Sequence, residues 1–154
     1  MSRLLSSQIH VAATASGAQP LLTIAQLRFL ARKTIIAAHC SQPIELSVAF
    51  VDRQQSRAFN RHYRKRNTPT NVLSFTLHSN RPENRHNRGR IGEIILCSPV
   101  IREEARQQNL PVGRHAKWLF VHGMLHILGY DHAKEGDFHR MQRTEIAVLG
   151  DGIL

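Results

Sequence analysis

The 154-residue sequence has few cysteines and no long apolar run. Its two cysteines, Cys40 and Cys97, are too few for a disulfide framework and neither belongs to a CxxC pair, so we interpret both as reduced thiols. The absence of a run of about 18 apolar residues excludes a membrane-spanning helix. The first residues also lack the compact apolar block of a signal peptide. These features predict a cytoplasmic protein with no membrane association.

Acidic residues are scarce as well: the sequence has 11 of them and 21 lysines and arginines, which gives a net charge of +10. The excess is concentrated between Arg53 and Arg90, where ten basic residues and one acid, Glu83, give +9. Nine of the ten are arginines, which bind phosphates in bidentate fashion. A charge this localised favours a polyanion-binding surface over an ordinary solvated one. The expected contacts are Arg57, Arg61, Arg64, Lys65, Arg66, Arg85, Arg88 and Arg90.

The apolar periodicity predicts one α/β domain over residues 1–154, with a small four-stranded mixed sheet packed against five or six helices. Residues 1–20 are weakly patterned, apart from a short strand at 8–11. The element order is βαβαββααα. Further strands are predicted at 44–51, 71–77 and 91–97, and helices at 24–39, 53–64, 98–108, 114–128 and 135–149. Thr23, Asp52 and Ser98 are the expected N-caps. The polar, arginine-rich stretch 78–90 is a candidate substrate flap.

The sequence HGMLHILGYDH at 122–132 carries three histidines with metal-ligand spacing. His122 and His126 are four residues apart, so a helix places both imidazoles on one face. Gly129 can end that helix, which lets His132 return as a third ligand. Three imidazoles suit one Zn²⁺, with Ni²⁺ or another borderline ion also compatible, and leave a coordination position open, as in catalytic sites. The alternative, core or capping histidines, does not account for the spacing.

The same spacing occurs in zinc peptidases, which carry a glutamate as general base directly after the first histidine. Here that position is Gly123, which can neither deprotonate water nor protonate a leaving amine. This difference argues against peptide hydrolysis. Together with the basic segment, it favours metal-assisted cleavage of a phosphodiester backbone.

The 122–132 motif resembles the signature of the YbeY family of bacterial endoribonucleases. Two other blocks resemble the same family: NRHYR at 60–64 with TPTNVLSF at 68–75, and IGEI at 91–94, where the family more often has aspartate than Glu93. The resemblance covers about residues 44–150.

This resemblance implies a single-domain α/β fold, a metal held by His122, His126 and His132, and cleavage of single-stranded RNA. It further implies 16S ribosomal RNA 3′-end processing and ribosome quality control, with ribosomal RNA and small-subunit precursors as partners. Arg64 falls on the family's arginine beside the metal cleft. There it would clamp a phosphate and stabilise the charge that builds on the phosphorane oxygens, which makes Arg64 and His122 the expected catalytic residues.

Two acids are candidates for orienting a histidine or a water molecule: Asp131, next to His132, and Glu93. Asp131 is equally compatible with a turn residue at the helix end, and Glu93 with a solvent-facing strand residue.

Two other functions stay open at this point. A non-catalytic ribosome-assembly factor would use the metal structurally and the basic surface to bind ribosomal RNA. Loss of the metal would unfold such a factor, whereas it would only abolish the activity of an enzyme. A metallopeptidase would need a carboxylate from elsewhere to replace Gly123.

Overall fold

The computed structural model describes residues 9–77, 90–131 and 133–150. Its elements follow the predicted order βαβαββααα, and the predicted α/β class is confirmed. They are β1 (Ile9–Ser16), α1 (Ile24–Ala37), β2 (Ile44–Val51), α2 (Arg53–Arg64), β3 (Val72–Leu77), β4 (Arg90–Cys97), α3 (Ser98–Gln107), α4 (Val112–Ile127) and α5 (Glu135–Leu149).

The four strands form one mixed sheet in the order β1-β2-β4-β3. β1, β2 and β4 are parallel, whereas β3 lies at an edge and runs antiparallel to β4. On one face Ile94 and Leu96 belong to the main core with Met124 of α4. On the other face Ile95 packs in a smaller cluster that includes Phe59 of α2. The sheet therefore separates α4 from α2.

Side-chain caps fix the starts of the first two helices as predicted. The Thr23 hydroxyl accepts from Gln26 N at 3.1 Å, and Asp52 Oδ1 accepts from Gln55 N at 2.8 Å. The predicted Ser98 cap is wrong, because Cys97 occupies the cap position and Ser98 is already helical. The Ser98 hydroxyl instead donates to the Gln19 carbonyl at 2.7 Å, which ties the start of α3 to the segment before α1.

Strand β1 is longer than the predicted short strand at 8–11. It pairs with β2 along its whole length, from Ile9 opposite Ile44 to Ser16 opposite Val51. Of its eight residues only Val11 is buried. The other residues are mostly small or polar, so this edge strand has no alternation of apolar and polar residues by which the sequence could reveal it.

The predicted flap at 78–90 falls mostly on residues 78–89, outside the described ranges; Arg90 is the first residue of β4. Both cysteines are free thiols, and burial raises the pKa of the Cys97 thiol. Across the described ranges, no helix combines the length and apolar character needed to cross a bilayer.

Candidate active site

Helix α4 brings the first two predicted metal ligands together. Most of its other side chains in this region are buried in the core, and His122 and His126 follow each other by one turn. Their Nε2 atoms lie 3.1 Å apart, and the two rings are nearly perpendicular at 82°. The i, i+4 spacing thus directs the same nitrogen of each ring to one point, as predicted.

The opposite nitrogen of each ring contacts an oxygen that can only accept. His122 Nδ1 lies 2.7 Å from Glu145 Oε1, and His126 Nδ1 lies 3.0 Å from the Tyr130 carbonyl oxygen. A carbonyl or an ionised carboxylate accepts only from a protonated nitrogen, so this network assigns the proton of each neutral imidazole to Nδ1. Each Nε2 then carries the ring's lone pair, as a metal-ligating histidine requires.

The donor set fits a divalent cation of the zinc type. A tetrahedral ion with Zn–N bonds of about 2.0–2.1 Å would place two ligating nitrogens about 3.3 Å apart, close to the 3.1 Å between the two Nε2 atoms. His132, the third predicted ligand, lies outside the described residues, and within the described ranges no three ligating side chains converge.

Glu145 of α5 is the functional residue that the sequence prediction missed. Its side chain is buried, and its second oxygen accepts from Trp118 Nε1 at 3.1 Å. One signal was available: Glu145 lies on the same helical face as the buried Met141 and Val148. A carboxylate at a core-facing position requires a buried partner, although the sequence alone does not name it.

Of the two acids proposed from the sequence, Asp131 lies at the turn after α4 and Glu93 lies on the sheet. Asp131 is exposed, and its Oδ1 accepts from Ala133 N at 3.2 Å, as in a turn. Glu93 follows the alternation of β4, which places it on the face of Ile95, across the sheet from α4. The carboxylate that contacts His122 therefore belongs to Glu145 and not to Glu93.

Gly123 is buried between α4 and the sheet. A Cβ atom built there would lie 3.4 Å from Val72 Cγ2 and 3.5 Å from Ile94 Cγ2. The position at which zinc peptidases carry their glutamate is directed into the apolar core of this chain. A carboxylate there would have no access to water, which strengthens the argument against peptide hydrolysis.

The basic residues of α2 form a solvent-exposed surface across the sheet from α4, and Arg64 lies at the end of this helix. In the part of the chain that the structure describes, Arg53 at the start of α2 pairs with Glu103, whereas the basic residues from Arg57 to Arg66 form no ion pair with a carboxylate. Arg57 Nε donates to Asn67 Oδ1 at 2.9 Å, and Lys65 Nζ donates to the His62 carbonyl at 3.1 Å. The structure therefore groups Arg57, Arg61, Arg64, Lys65 and Arg66 on α2 and in the two residues after it.

Arg90 has a different position from the other predicted RNA contacts. Its Nη1 donates to the carbonyl of Ile127 at 3.0 Å, and its Nε donates to Gln42 Oε1 at 3.2 Å. Arg90 thus caps the carboxyl end of α4, just before Gly129 turns the chain with φ +95°. Arg85 and Arg88 lie outside the described residues.

Comparisons with known proteins agree with this arrangement of elements. The family described as "Endoribonuclease YbeY" matches residues 18–151. A protein of that name from Thiobacillus denitrificans is 37% identical over 135 residues, which cover 88% of this chain and 85% of that protein. Another from Methylococcus capsulatus is 43% identical over 105 residues, or 68% of each chain.

A solved structure shares the fold. The solution structure of a Thermotoga maritima protein aligns with a TM-score of 0.56 and 23% identity, covering 92% of this chain and 89% of that one. The family match and the identities above 30% over most of the length extend the resemblance beyond the three motifs to nearly the whole chain. The chain therefore belongs to the YbeY family.

Proposed function

We propose that this protein is a metal-dependent endoribonuclease that cleaves single-stranded RNA. One observation carries the metal dependence: the Nε2 atoms of His122 and His126 lie 3.1 Å apart, while acceptor oxygens hold the proton of each ring on Nδ1. The name of its relatives, endoribonuclease, supports the reaction.

His122, His126 and His132 would hold one Zn²⁺, and the same nitrogens are also ligands for Ni²⁺. When bound, the ion supplies Lewis-acid polarisation of a phosphoryl oxygen and of water. The protein's contribution is to fix the ligands before the ion arrives. Glu145 holds His122 and the Tyr130 carbonyl holds His126, each in the tautomer that ligation needs.

Substrate binding would rest on the basic surface of α2. From Arg57 to Arg64 its guanidinium groups are exposed and unpaired with carboxylates in the described ranges, so RNA phosphates need not displace a carboxylate there. Arg64, the last residue of α2, would reach the cleaved phosphate past the edge strand β3 and stabilise its growing negative charge. Arg57, Arg61, Lys65 and Arg66 would hold flanking phosphates, with Arg85 and Arg88 as further candidates.

In the cell, we place this activity in the cytoplasm, in 16S ribosomal RNA 3′-end processing and ribosome quality control. The substrates would be single-stranded regions of small-subunit precursors. Membership of the YbeY family supports this assignment, and the net charge of +10 is of the sign that such a polyanion requires.

The test is cleavage of a fluorescent single-stranded RNA by metal-replete wild type, His126→Ala and Arg64→Glu. Arg32→Glu, an exposed arginine on α1, is the matched control for the charge reversal. We expect wild type and Arg32→Glu to cleave equally, His126→Ala to be inactive, and Arg64→Glu to be slowed roughly a hundredfold.

The nuclease assignment fails if wild type binds RNA but cleaves neither the short strand nor the same sequence within a ribosomal precursor. The non-catalytic assembly factor then becomes the better account.

A further inference from the structure

An apolar patch interrupts the basic surface of α2. Tyr63 is 54% exposed, although its ring centroid lies only 4.4 Å from that of Phe75 on β3. Leu77, two residues along β3 and therefore on the same face as Phe75, is 51% exposed. We call Tyr63, Phe75 and Leu77 the Tyr63 patch. The exposure of two large apolar side chains side by side on a soluble surface indicates a binding role.

The charge around the patch identifies the kind of partner. Arg61, Arg64, Lys65 and Arg66 lie within three residues of Tyr63, all exposed. Such a concentration of positive charge repels a basic protein and attracts a polyanion. Among polyanions, single-stranded nucleic acid has unpaired bases that stack on aromatic rings while its phosphates contact cations. A duplex keeps its bases stacked inside and cannot use the ring in this way.

The Tyr63 ring is packed between two other aromatic rings, those of Phe59 and Phe75. Phe59, one turn earlier on α2, stacks against it at 6.4 Å with an interplanar angle of 15°. The end of α2 is also tied to the following turn, since Asn60 Nδ2 donates to the Thr68 carbonyl at 2.8 Å and Ser56 Oγ to the Thr70 carbonyl at 2.9 Å. A preorganised platform loses little conformational entropy when a base stacks on it.

We propose that Tyr63 is a base-stacking site for single-stranded RNA, an inference that rests on the proposed function and adds a subsite to it. The edge strand β3 separates this subsite from the histidine pair. Phe75 faces α2, whereas Ser74 pairs with Ile94 and shares its face, the face that α4 covers. An RNA strand stacked on Tyr63 therefore reaches the histidines by passing over the outer edge of β3.

The experiment measures binding separately from cleavage. The probe is a fluorescein-labelled 2′-O-methyl oligouridylate of roughly 12 nucleotides, within the usual site size of such surfaces. Its integrity is checked after each anisotropy titration with metal-replete protein. We expect Tyr63→Leu to raise Kd about tenfold and Tyr63→Phe to leave it within about twofold, because Phe retains the stacking ring. Phe29→Leu, which alters an aromatic residue 61% exposed on α1, is the matched control and should bind like wild type.

A second probe of the same length without bases separates stacking from any effect on the phosphate contacts. We expect wild type and Tyr63→Leu to bind this abasic strand equally. The proposal is overturned if Tyr63→Leu binds the oligouridylate like wild type, which would leave the patch to a protein partner. An equal loss on both probes also overturns it, since the effect would then not involve bases. If the protein fails to cleave the unmodified RNA of the cleavage test while Tyr63-dependent binding is intact, the nuclease assignment alone is refuted.

Discussion

At the scale of single residues, the contacts of Nδ1 in His122 and His126 are as informative as the convergence of their Nε2 atoms. The carboxylate of Glu145 accepts from both His122 and Trp118, so one buried acid fixes a ring that the sequence presents only as part of a motif. In the proposed function Glu145 would therefore be a positioning residue, which acts on the ion through His122.

Replacing Glu145 with Gln should weaken zinc binding about 10- to 100-fold, because the neutral amide stabilises the ligating tautomer less than a carboxylate does. Gln also has one acceptor oxygen for two donors, which should lower the free energy of unfolding by about 1–2 kcal/mol. Competition with a chromogenic chelator gives the affinity, and denaturant unfolding of the metal-free protein gives the stability.

Glu135→Gln is the matched control, since this side chain lies on the same helix and is 92% exposed. If both variants bind zinc like wild type, Glu145 has a structural role only.

For single residues, the sequence predicts contacts between positions that are close along the chain. The i, i+4 spacing of His122 and His126 fixes their common face whatever the tertiary structure is. Glu145 is 23 residues from His122 in the chain, and their contact depends on how α5 crosses α4. The apolar periodicity of a helix does not reveal how two helices cross, so the sequence could not identify Glu145 as the partner of His122.

At the scale of elements, the fit of α4 against β4 depends on two glycines in different ways. A Cβ atom at Gly92 would lie 2.7 Å from Ile127 Cδ1, which is an overlap, whereas one at Gly123 would make ordinary contacts with Val72 and Ile94. Ile127 belongs to the last turn of α4, directly after His126. The spacing between helix and strand therefore determines where the histidine pair lies.

Gly92→Ala should lower the free energy of unfolding by about 1–3 kcal/mol through overpacking. Gly123→Ala should raise it by about 0.5–1 kcal/mol, because alanine is the better helix former and its methyl group has room. Chemical denaturation of the two variants beside wild type measures both changes. Equal destabilisation by both substitutions would contradict the described packing of α4.

The positive charge on α2 predicts how strongly RNA binding depends on salt concentration. Each cation that contacts a phosphate contributes about 0.7 to the slope of log Kd against log salt for a single strand. Arg61→Gln should therefore reduce the slope by about that amount, and Arg32→Gln on α1 should leave it unchanged. Arg61 is preferred to Arg57 because Arg57 also holds Asn67. A slope that Arg61→Gln does not alter would remove α2 from the RNA-binding surface.

The helices were easier to predict from the sequence than the strands. The capping boxes at Thr23 and Asp52 and the turn at Gly129 are local chemistry, and all three occur in the structure. The N-cap at Ser98 was wrong because a distant carbonyl, that of Gln19, binds its hydroxyl. Most of β1 was missed because an exposed edge strand of small residues needs no apolar face.

At the scale of the whole molecule, the sheet divides the proposed tasks. One face carries α4 with the histidine pair, and the other carries α2 with the basic residues. The distribution of charge along the sequence identifies the basic segment, but it does not show that this segment lies across the sheet from the histidines. That placement is seen only in the packing, where α4 joins the cluster of Ile94 and α2 joins the cluster of Ile95.

The measurement that tests the central claim most directly is a zinc titration of chelator-stripped protein. Cleavage of single-stranded RNA, bound zinc and far-ultraviolet circular dichroism are recorded on the same samples. We expect the stripped protein to stay folded and inactive, and the cleavage rate to rise until one ion is bound per chain. Full cleavage by the stripped protein would contradict a metal-dependent nuclease. Unfolding on stripping, with no cleavage when zinc is restored, would instead indicate a structural metal in an RNA-binding assembly factor.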